Sequence, residues 1–385
     1  MELLAEILAA GNALFYFFLV VKAVNFITLK TLGSFPRTSR RPFVSILVPA
    51  RNEEANIEAC VKSLLAQDYP DFELIVLDDE SEDATWSILC HLAAQDKRLR
   101  IIKGKELPAG WVGKSWACHQ LSRAAQGEYL LFVDADTRHA PSMLGAAVDA
   151  ALYYDAALVT AMPRERTESV SEMLTVPLMT WGTFSALPLP LAFHSSLPAL
   201  SITIGQFLLF RHDAYRRIGG HAAVADHITE DMELGRLIKK HGFRWRMVDG
   251  GKVVDCRMYT NFSDAVNGIS KSIFGALNYS VLLVLLFSMV LAALFCLPPL
   301  LVAAHLAGYT LSRAVVSRAG TAIALALISW SAANIRFRLP WTATLLYPCI
   351  AALAIFIFLR SMIFSMLGVM RWKGRVVVQH PFRFI

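Results

Sequence analysis

Long apolar segments restrict what this chain can fold into more than any other feature of its sequence. Residues 7–29 are mostly apolar or aromatic, and Lys22 is the one charged side chain among them. A helix of this length crosses roughly 30 Å of hydrocarbon. No basic stretch precedes the segment and no small-residue cleavage site follows it, so we expect a membrane anchor and not a cleaved signal peptide.

A second apolar block runs from about residue 280 to 369 and is broken near 313–318 and 336–340. It predicts three further spans, at about 281–304, 319–335 and 341–367. The alternative is a set of core helices buried in a soluble protein, which the number and length of the segments disfavour. Hydrophobic residues make up 55% of the 385 residues and charged residues only 18%, which also favours a membrane protein.

Charged residues beside the first segment predict its orientation. Four cations follow it: Lys30, Arg37, Arg40 and Arg41. They place the next part of the chain in the cytoplasm. Three more spans would then put the C-terminus outside, whereas the basic tail favours the inside. The tail cations are Arg371, Lys373, Arg375 and Arg383. A re-entrant or interfacial segment would resolve this conflict, and Pro298–Pro299 mark a candidate break.

Overall charge and cysteine content narrow the class of protein further. The formal net charge of +6 fits a protein that rests on anionic lipid. No basic stripe is interleaved with stacking aromatic residues, so we expect no nucleic-acid partner. The six cysteines form no C-x-x-C motif. They suit a reducing compartment and argue against a disulfide framework or a zinc site.

Between about residues 42 and 278 the pattern changes to alternating strands and helices. Four β-rich apolar runs predict strands: "FVSILVPA" (43–50), "FELIVLDDESED" (72–83), "LRIIKG" (99–104) and "YLLFVDADT" (129–137). Helical periodicity separates them. This alternation predicts an α/β domain built on an open, mostly parallel sheet with helices on both faces.

Acidic residues follow several of the predicted strands. Pro49, Arg51 and Glu53 follow the first strand, Asp78 and Asp79 end the second, and Asp134 and Asp136 end the fourth. Ligands of such sheets bind beyond the carboxyl ends of the strands. We therefore expect these residues to share one crevice.

The pair Asp134 and Asp136 has a specific chemistry at strand spacing. Residues i and i+2 of a strand point the same way, so the two carboxylates would repel each other. A hard cation relieves that repulsion, and Mg²⁺ is commonly held by one or two carboxylates together with substrate phosphates. The pair therefore indicates a site where a metal ion binds the diphosphate of a substrate. A solvated turn or a helix N-cap is the alternative for an isolated pair.

Two further motifs are ambiguous when each is taken alone. Lys114 opens a predicted helix at Gly113, where a helix N-terminus and a lysine can hold an anion, but it could equally be a solvent-facing lysine. Glu230 and Asp231 follow Thr229, which can cap a helix. In a purely structural interpretation, both acids interact favourably with the helix dipole. In a functional interpretation, Asp231 is a general base.

The motifs taken together are similar to a known family. "SILVPARNEEANI", "VLDDESEDAT", "GKSWACHQLSRAAQGEYLLFVDADT", "GQFLLFRHDAYRRIGGH" and "TEDMELGRLIKKHG" occur in this order. The set resembles the membrane-bound family 2 glycosyltransferases with a GT-A fold. Its closest resemblance is to bacterial enzymes that glycosylate carotenoids and hopanoids, and a more distant one is to ceramide glucosyltransferase. The resemblance covers about residues 43–278.

The resemblance implies a role for each matching position. The expected nucleotide-sugar-binding residues are Pro49, Ala50, Arg51, Glu53, Asp78, Asp79, Lys114 and Asp134. Asp136 is the expected ligand of a Mg²⁺ or Mn²⁺ ion, with Asp134 beside it, and Asp231 the expected general base. The expected acceptor-side residues are Gly205, Gln206, Glu230 and Lys271.

Two positions depart from the family pattern. Glu80 replaces the usual glycine after the acid pair, so that turn can differ. The family's Q/R-x-x-R-W motif is unmatched, because "GISKS" (268–272) offers Lys271 near the expected arginine and no tryptophan. That motif is prominent in processive synthases, so its loss argues against processivity. The tail sequence "RWKGR" (371–375) looks like that of the lipid-glycosylating relatives.

These observations divide the chain into an anchor, a catalytic domain and a membrane region. The expected parts are an anchor at 1–32, a GT-A domain at 42–278, an interfacial segment within it at 170–203, C-terminal spans at 279–370 and a basic tail at 371–385. The expected function is inverting transfer of a hexose, glucose from a UDP-sugar being favoured, to a lipid acceptor at the inner (cytoplasmic) membrane. The acceptor would be a carotenoid, hopanoid, sphingolipid or glycerolipid.

Two other functions remain open on the sequence alone. A processive polysaccharide synthase would share the donor site but release a polymer. A membrane scaffold or transporter subunit with a degenerate nucleotide-binding domain would catalyse no transfer. The intact acids at Asp79, Asp136 and Asp231 argue against the scaffold.

Overall fold

The computed structural model describes residues 1–378 and 380–384. The strands, in chain order, are β1 (Val44–Ala50), β2 (Phe72–Asp78), β3 (Leu99–Lys103), β4 (Tyr129–Val133), β5 (Thr137–His139), β6 (Leu158–Met162), β7 (Arg164–Glu165), β8 (Phe207–Arg211), β9 (Trp245–Asp249), β10 (Val254–Cys256), β11 (Arg371–Trp372) and β12 (Arg375–Val376).

Helices occupy most of the remaining chain. In chain order they are α1 (Glu2–Thr28), α2 (Ile57–Leu65), α3 (Thr85–Gln95), α4 (Gly113–Ala124), α5 (Met143–Tyr154), α6 (Val170–Ala186), α7 (Leu189–His194), α8 (His212–Arg217), α9 (Glu230–Lys240), α10 (Phe262–Ala276), α11 (Val281–Leu291), α12 (Leu297–Leu306), α13 (Arg313–Phe337), α14 (Thr342–Leu345) and α15 (Tyr347–Met366).

A central sheet of seven strands, in the order β3-β2-β1-β4-β8-β6-β9, forms the core of the α/β domain. β1 to β4 are parallel, and the register of β1 and β2 sets Ala50 opposite Asp78 at their carboxyl ends. β8 runs antiparallel to β4 and β6, and β6 is parallel to β9. The predicted mostly parallel sheet is confirmed. A smaller sheet, in the order β5-β10-β7, lies beside it.

Both faces of the central sheet are buried, which explains the continuous apolar runs of its strands. Along β1, Ile46 and Val48 enter one core with residues of α2, α3 and α5. Leu47 enters the other core, because neighbouring side chains of a strand point to opposite faces. That second core also contains Phe15 of α1 and Trp330 of α13. The α/β domain and the apolar helices therefore share one continuous core.

Four helical segments are long and apolar enough to cross a membrane: Glu2–Thr28, Val281–Leu306, Arg313–Phe337 and Tyr347–Met366. They correspond to the four predicted spans, with α13 starting earlier than the sequence suggested. The helix is interrupted only slightly near Pro298–Pro299, because a π-helical turn over Ala292–Cys296 connects α11 to α12. These helices associate the protein with a membrane.

α1 and α13 pack side by side and run in the same direction. Lys22 Nζ in α1 donates to Ser329 Oγ in α13 at 2.7 Å. Seven residues further along each helix, Arg336 Nη2 donates to the carbonyl oxygen of Leu29 at 2.9 Å. Arg336 also forms an ion pair with Asp249 at the end of β9. α13 thus ends against the α/β domain, at the same end as α1.

α15 also ends on the side of the α/β domain. It begins beside the middle of the α11–α12 segment, where the rings of Tyr347 and Phe295 lie 5.9 Å apart. It ends against α10, where the Phe274 N–H donates to Ser361 Oγ at 3.0 Å. The tail that follows α15 therefore returns to the catalytic domain.

Segment 170–203 folds into α6, α7 and a short 3₁₀ turn over Pro198–Leu200. A capping box starts α6, in which Ser169 and Glu172 exchange hydrogen bonds. Trp181 of α6 is 6% exposed and stacks on Trp330 with ring centroids 5.6 Å apart. One face of this helix therefore packs against the apolar helices. The headgroup location of 170–203 stays a prediction.

Candidate active site

The carboxyl ends of β1 and β2 bring the first two acidic motifs together. The Asp79 N–H donates to the Ala50 carbonyl oxygen at 2.7 Å. Asp78 and Asp79 are each only 4% exposed. Oδ1 of Asp78 is buried and has no hydrogen-bond partner within the described residues. Pro49, the next-to-last residue of β1, lies opposite Leu77. The predicted clustering of these strand ends is present in the structure.

Asp134 and Asp136 lie in a turn and not on a strand, which corrects the predicted strand over 129–137. β4 ends at Val133. The N–H and Oγ1 of Thr137 both donate to the Asp134 carbonyl oxygen, at 3.3 and 2.6 Å. These bonds close the turn, so the strand pairing cannot continue through the acids. The two side chains consequently have different surroundings: Asp134 meets Lys114 at 2.8 Å, and Asp136 Oδ1 is buried without a partner within the described residues.

Asp136 lies in a pocket with excess negative charge. Burial, together with the carboxylates of Asp134 and Glu53, raises the pKa of its carboxyl to about 7. The cations Lys373 and Lys114 lower the pKa of Asp136, but their effect is smaller than that of burial and the carboxylates. A buried carboxylate of this kind favours either a proton or an added cation.

Lys114 links the D-x-D turn to the start of α9. Its Nζ lies 2.8 Å from Asp134 Oδ1 and 3.3 Å from Glu230 Oε1. Burial by itself would lower the pKa of Lys114, but the carboxylates of Asp134 and Glu230 overcome this and hold its pKa well above the ordinary value. Lys114 is therefore a permanent cation at the centre of the site.

Asp231 is in the first turn of α9, as predicted, although Thr229 makes no side-chain capping bond. Burial, together with the neighbouring Glu230 carboxylate, raises the pKa of Asp231 to about 7. A β-carbon placed on Gly205 would lie 3.2 Å from Asp231 Oδ2 and 3.3 Å from Lys114 Nζ. Glycine at 205 thus lets the backbone lie close to a carboxylate that can accept a proton near neutral pH.

Gln206 belongs to a buried cluster on the smaller sheet. Its Nε2 donates to Cys256 Sγ at 2.9 Å, and Cys256 lies opposite Glu165 in the β10–β7 pairing. Burial raises the pKa of Glu165 to about 8, with Asp136 and Asp134 contributing. The sequence did not indicate Glu165, because β7 has only two residues and carries no strand pattern.

The C-terminal tail brings two cations to the site, to which the sequence assigned no specific role. Lys373 Nζ lies 2.6 Å from Glu53 Oε1 and Arg375 Nη1 lies 2.5 Å from Asp79 Oδ2. Burial raises the pKa of Asp79, against the effect of Arg375. Arg51 Nη1 donates to the Asp79 carbonyl oxygen at 2.7 Å and so braces the same loop.

Lys271 lies at the other side of the site, on α10. Its Nζ is 4.2 Å from the ring centroid of Trp372 in the tail. Burial, together with the nearby cation Lys114, lowers the pKa of Lys271 to about 8. The chain has no tryptophan next to Lys271 in sequence, yet the fold supplies one from the tail.

Comparisons with known proteins agree with this geometry. Residues 45–219 match the sequence profile of the family described as Glycosyl transferase family 2. The chain is similar to the beta-monoglucosyldiacylglycerol synthase of Nostoc sp., with 41% identity over 105 residues, which are 27% of this chain and 22% of the relative. It is also similar to the 4,4'-diaponeurosporenoate glycosyltransferase of Staphylococcus haemolyticus, with 26% identity over 242 residues, 59% of this chain and 60% of the relative.

Among solved structures, the fold is similar to the mannosyltransferase PcManGT from Pyrobaculum calidifontis, which was determined in complex with GDP-Man and Mn²⁺. The TM-score is 0.56 at 18% identity, covering 94% of this chain and 99% of that one. At this identity the likeness concerns the fold alone. The chain spans from 22% to 60% of the length of the curated relatives described above.

Proposed function

Residues 45–219 form a glycosyl transferase family 2 domain, and from this premise we propose that the protein is an inverting glycosyltransferase. It transfers a hexose from a nucleotide sugar to a hydroxyl or carboxyl group of a membrane lipid. The donor we favour is UDP-glucose, because the sequence resembles lipid-glucosylating enzymes. The names of the two relatives, a glucosyldiacylglycerol synthase and a diaponeurosporenoate glycosyltransferase, support a lipid acceptor.

One observation carries the proposal: the fold brings a candidate base and a candidate metal site to the same lysine. Lys114 contacts Asp134 of the D-x-D turn and Glu230, the neighbour of Asp231. Asp134 and Asp136 belong to the donor side, and Asp231 with Gly205 to the acceptor side. A reaction between a donor and an acceptor needs both sets within reach of each other.

The proposed reaction is a direct displacement. The Asp231 carboxylate accepts the proton of the acceptor hydroxyl as the acceptor oxygen attacks the anomeric carbon. The bond from that carbon to the diphosphate oxygen breaks, and the nucleoside diphosphate leaves with the bonding electrons. Attack opposite the leaving group inverts the anomeric centre. Lys114 holds negative charge on the donor side while the leaving group departs.

The carboxylate oxygens of Asp134 and Asp136 suit a divalent cation, Mg²⁺ or Mn²⁺. Asp136 offers a buried oxygen without a partner within the described residues, and Asp134 lies beside it. Within residues 1–378 and 380–384, no group of three or more His, Cys, Asp or Glu side chains is arranged to hold a metal by itself. Remaining ligands would therefore be diphosphate oxygens and water, as is usual for Mg²⁺. The cation would supply charge stabilisation for the leaving diphosphate.

We also propose that the catalytic domain faces the cytoplasm and that α15 is re-entrant. α1 and α13 end at the domain, and α15 both begins midway along the α11–α12 segment and ends at α10. Three crossings, by α1, α11–α12 and α13, then leave the basic tail on the domain side, as its charge predicts. Two reporters are fused after residue 385, one active only in the cytoplasm and one active only after export. We expect activity from the first reporter alone. Activity from the second reporter alone would refute this topology.

A lipid analysis tests the proposed function. Lipids from a host with and without the gene are compared by mass spectrometry, with a strain carrying Asp231→Asn as the matched control. A new lipid that is one hexose heavier, absent from the Asp231→Asn strain, supports the proposal. A water-soluble polymer in place of the lipid would indicate a processive synthase. No new product, together with no binding of UDP in the presence of Mn²⁺ by calorimetry, would favour a non-catalytic scaffold.

A further inference from the structure

A recess lies where the end of α13 meets the α/β domain, away from the candidate active site. The residues that line it include Asp249, Gly251, Lys252, Arg336 and Arg338. Arg336 belongs to the last turn of α13 and Arg338 follows that helix, whereas Lys252 lies in the turn between β9 and β10. The fold thus brings together three cations from segments that are more than 80 residues apart in sequence.

The recess carries an excess of positive charge. Arg336 pairs with the carboxylate of Asp249, whose Oδ1 also accepts the Gly251 N–H at 2.9 Å. Arg338 is exposed, and its Nη1 donates only to the Gly251 carbonyl oxygen, at 3.3 Å. Among residues 1–378 and 380–384, neither Lys252 nor Arg338 forms an ion pair with a carboxylate. One acid therefore faces three cations.

The dipole of α13 explains only part of this charge. Cations near the C-terminal end of a helix are favoured by its dipole, which accounts for Arg336 and Arg338. It does not account for Lys252, or for Arg164 at the start of β7, because these residues lie outside the helix. The β-carbon of Arg164 is 3.7 Å from the place that a β-carbon on Gly251 would take. Cations from three separate segments therefore converge on one recess, as in a site for an anion.

Exposed apolar side chains lie directly beside these cations. Phe26 and Ile27, in the last turn of α1, are 51% and 85% exposed, and Ile335 in α13 is 75% exposed. The Arg336 guanidinium carbon lies 5.5 Å from the ring centroid of Phe26, so the two kinds of surface adjoin. α1 and α13 are both long and apolar enough to cross a membrane. Cations next to exposed apolar residues at a helix end are typical of the level where acyl chains meet headgroups.

We propose that this recess binds the phosphate of an anionic phospholipid whose acyl chains lie along α1 and α13. Arginine and lysine suit phosphate oxygens, and basic pockets at the ends of membrane helices favour anionic headgroups. A free phosphate ion would use the cations alone, whereas a lipid also covers Phe26 and Ile335. A zwitterionic lipid would bring its own cation towards Lys252 and Arg338, so it should bind less tightly.

The bound lipid would hold the α/β domain against the bilayer surface. Lys252 and Gly251 belong to the turn that follows β9, the edge strand of the central sheet, while Arg338 follows α13. A phosphate between them would connect the sheet, the helix end and the headgroup layer. This inference needs only the association of the protein with a membrane and is independent of the proposed reaction.

Native mass spectrometry of the full-length protein in detergent tests the site, with phosphatidylglycerol and phosphatidylcholine as probes. We expect the wild type to bind phosphatidylglycerol more tightly. The double variant Lys252→Gln/Arg338→Gln should lose about tenfold or more in apparent affinity for phosphatidylglycerol and bind phosphatidylcholine as the wild type does. Arg313→Gln is the matched control, since Arg313 is exposed and starts the same helix at its opposite end. It should bind phosphatidylglycerol as the wild type does.

Unchanged phosphatidylglycerol binding in the double variant would refute the site, and so would an equal loss in Arg313→Gln, which would indicate a general effect of charge. Inorganic phosphate is the third probe. If it displaces phosphatidylglycerol at equal concentration, the acyl chains contribute nothing and the recess is a phosphate site and not a lipid site. If the double variant does not fold, as judged by its thermal transition, Lys252→Gln alone is measured, with a smaller loss expected for phosphatidylglycerol and none for phosphatidylcholine.

Discussion

Lys114 Nζ lies 2.8 Å from Asp134 Oδ1, which joins the helix that follows β3 to the turn that follows β4. The same nitrogen is 3.3 Å from Glu230 Oε1 at the start of α9. The acids that we propose for the donor side and the acceptor side thus share one counter-charge. Because both acids are largely buried, removal of the lysine would leave uncompensated negative charge in a region of low dielectric.

Substitution Lys114→Gln should therefore impair catalysis. We expect kcat to fall by about 10- to 100-fold, as for the loss of a charged hydrogen bond at a reacting centre. The pKa of Asp231 should rise, because Lys114 lowers it in the wild type. Steady-state rates across pH measure both effects. Lys97→Gln, at an exposed position, should match the wild type, and an equally active Lys114→Gln would remove the lysine from the mechanism.

The pH dependence of the transfer rate should follow Asp231. Its pKa of about 7 means that the carboxylate, the form that accepts a proton, is the minor form below pH 7 and the major form above it. The rate should rise about tenfold per pH unit below pH 7 and level off above it. A rate that is flat between pH 5 and 8 at saturating donor and metal would contradict a base at Asp231.

Substitution Asp136→Asn should stabilise the metal-free protein while abolishing metal-dependent nucleotide binding. The pKa of Asp136 is about 7 in the fold and about 3.9 in an unfolded chain. The folded state therefore binds more protons, and the stability of the wild type falls as pH rises from about 4 through 7. Asparagine removes this pH dependence. At pH 8 the free energy of unfolding of Asp136→Asn should therefore exceed that of the wild type by about 1–3 kcal/mol.

Thermal unfolding in chelator at pH 8 and pH 5 measures this effect. The Asp136→Asn variant should melt above the wild type at pH 8, and the difference should shrink at pH 5, where the wild-type carboxyl is mostly protonated. An equal difference at both pH values would show that Asp136 is not the titrating group.

Substitution Gly205→Ala tests the close approach of the Gly205 backbone to the proposed base. The added methyl carbon would lie 3.2 Å from Asp231 Oδ2 and 3.3 Å from Lys114 Nζ, tighter than ordinary van der Waals contact. We expect transfer to fall by about tenfold or more, because a small displacement of catalytic groups is costly, with little change in thermal stability. Gly320→Ala is the control, since no atom lies within 4 Å of its added carbon. Equal activity of the two variants would argue against an acceptor path at Gly205.

Much of this architecture could be predicted because it depends on local pattern. The apolar runs of β1 and β2 are buried on both faces, so composition alone marks them. The helix that starts at Glu230 follows from its acidic first turn. Convergence of Asp79 and Asp134 was predictable once the strands were taken as parallel, since that topology gathers strand ends.

Other features depend on contacts between distant segments and carry no local signal. Asp134 and Asp136 fit a strand pattern, but the bonds from Thr137 to the Asp134 carbonyl close a turn there. Trp372 meets Lys271 only because α15 returns to the catalytic domain, so a motif search near Lys271 cannot find it. Glu165 is in a two-residue strand, too short for any periodicity.

The central claim is that Asp231 deprotonates a lipid acceptor that attacks a nucleotide sugar. The most direct measurement is release of UDP from UDP-glucose by the purified protein with Mn²⁺ and membrane lipid extract, for the wild type and for Asp231→Asn. We predict lipid-dependent release by the wild type and a loss of at least about 100-fold in Asp231→Asn, with UDP affinity retained in both. Lipid-dependent release that persists in Asp231→Asn, or no release by the wild type from any nucleotide sugar, would contradict the claim.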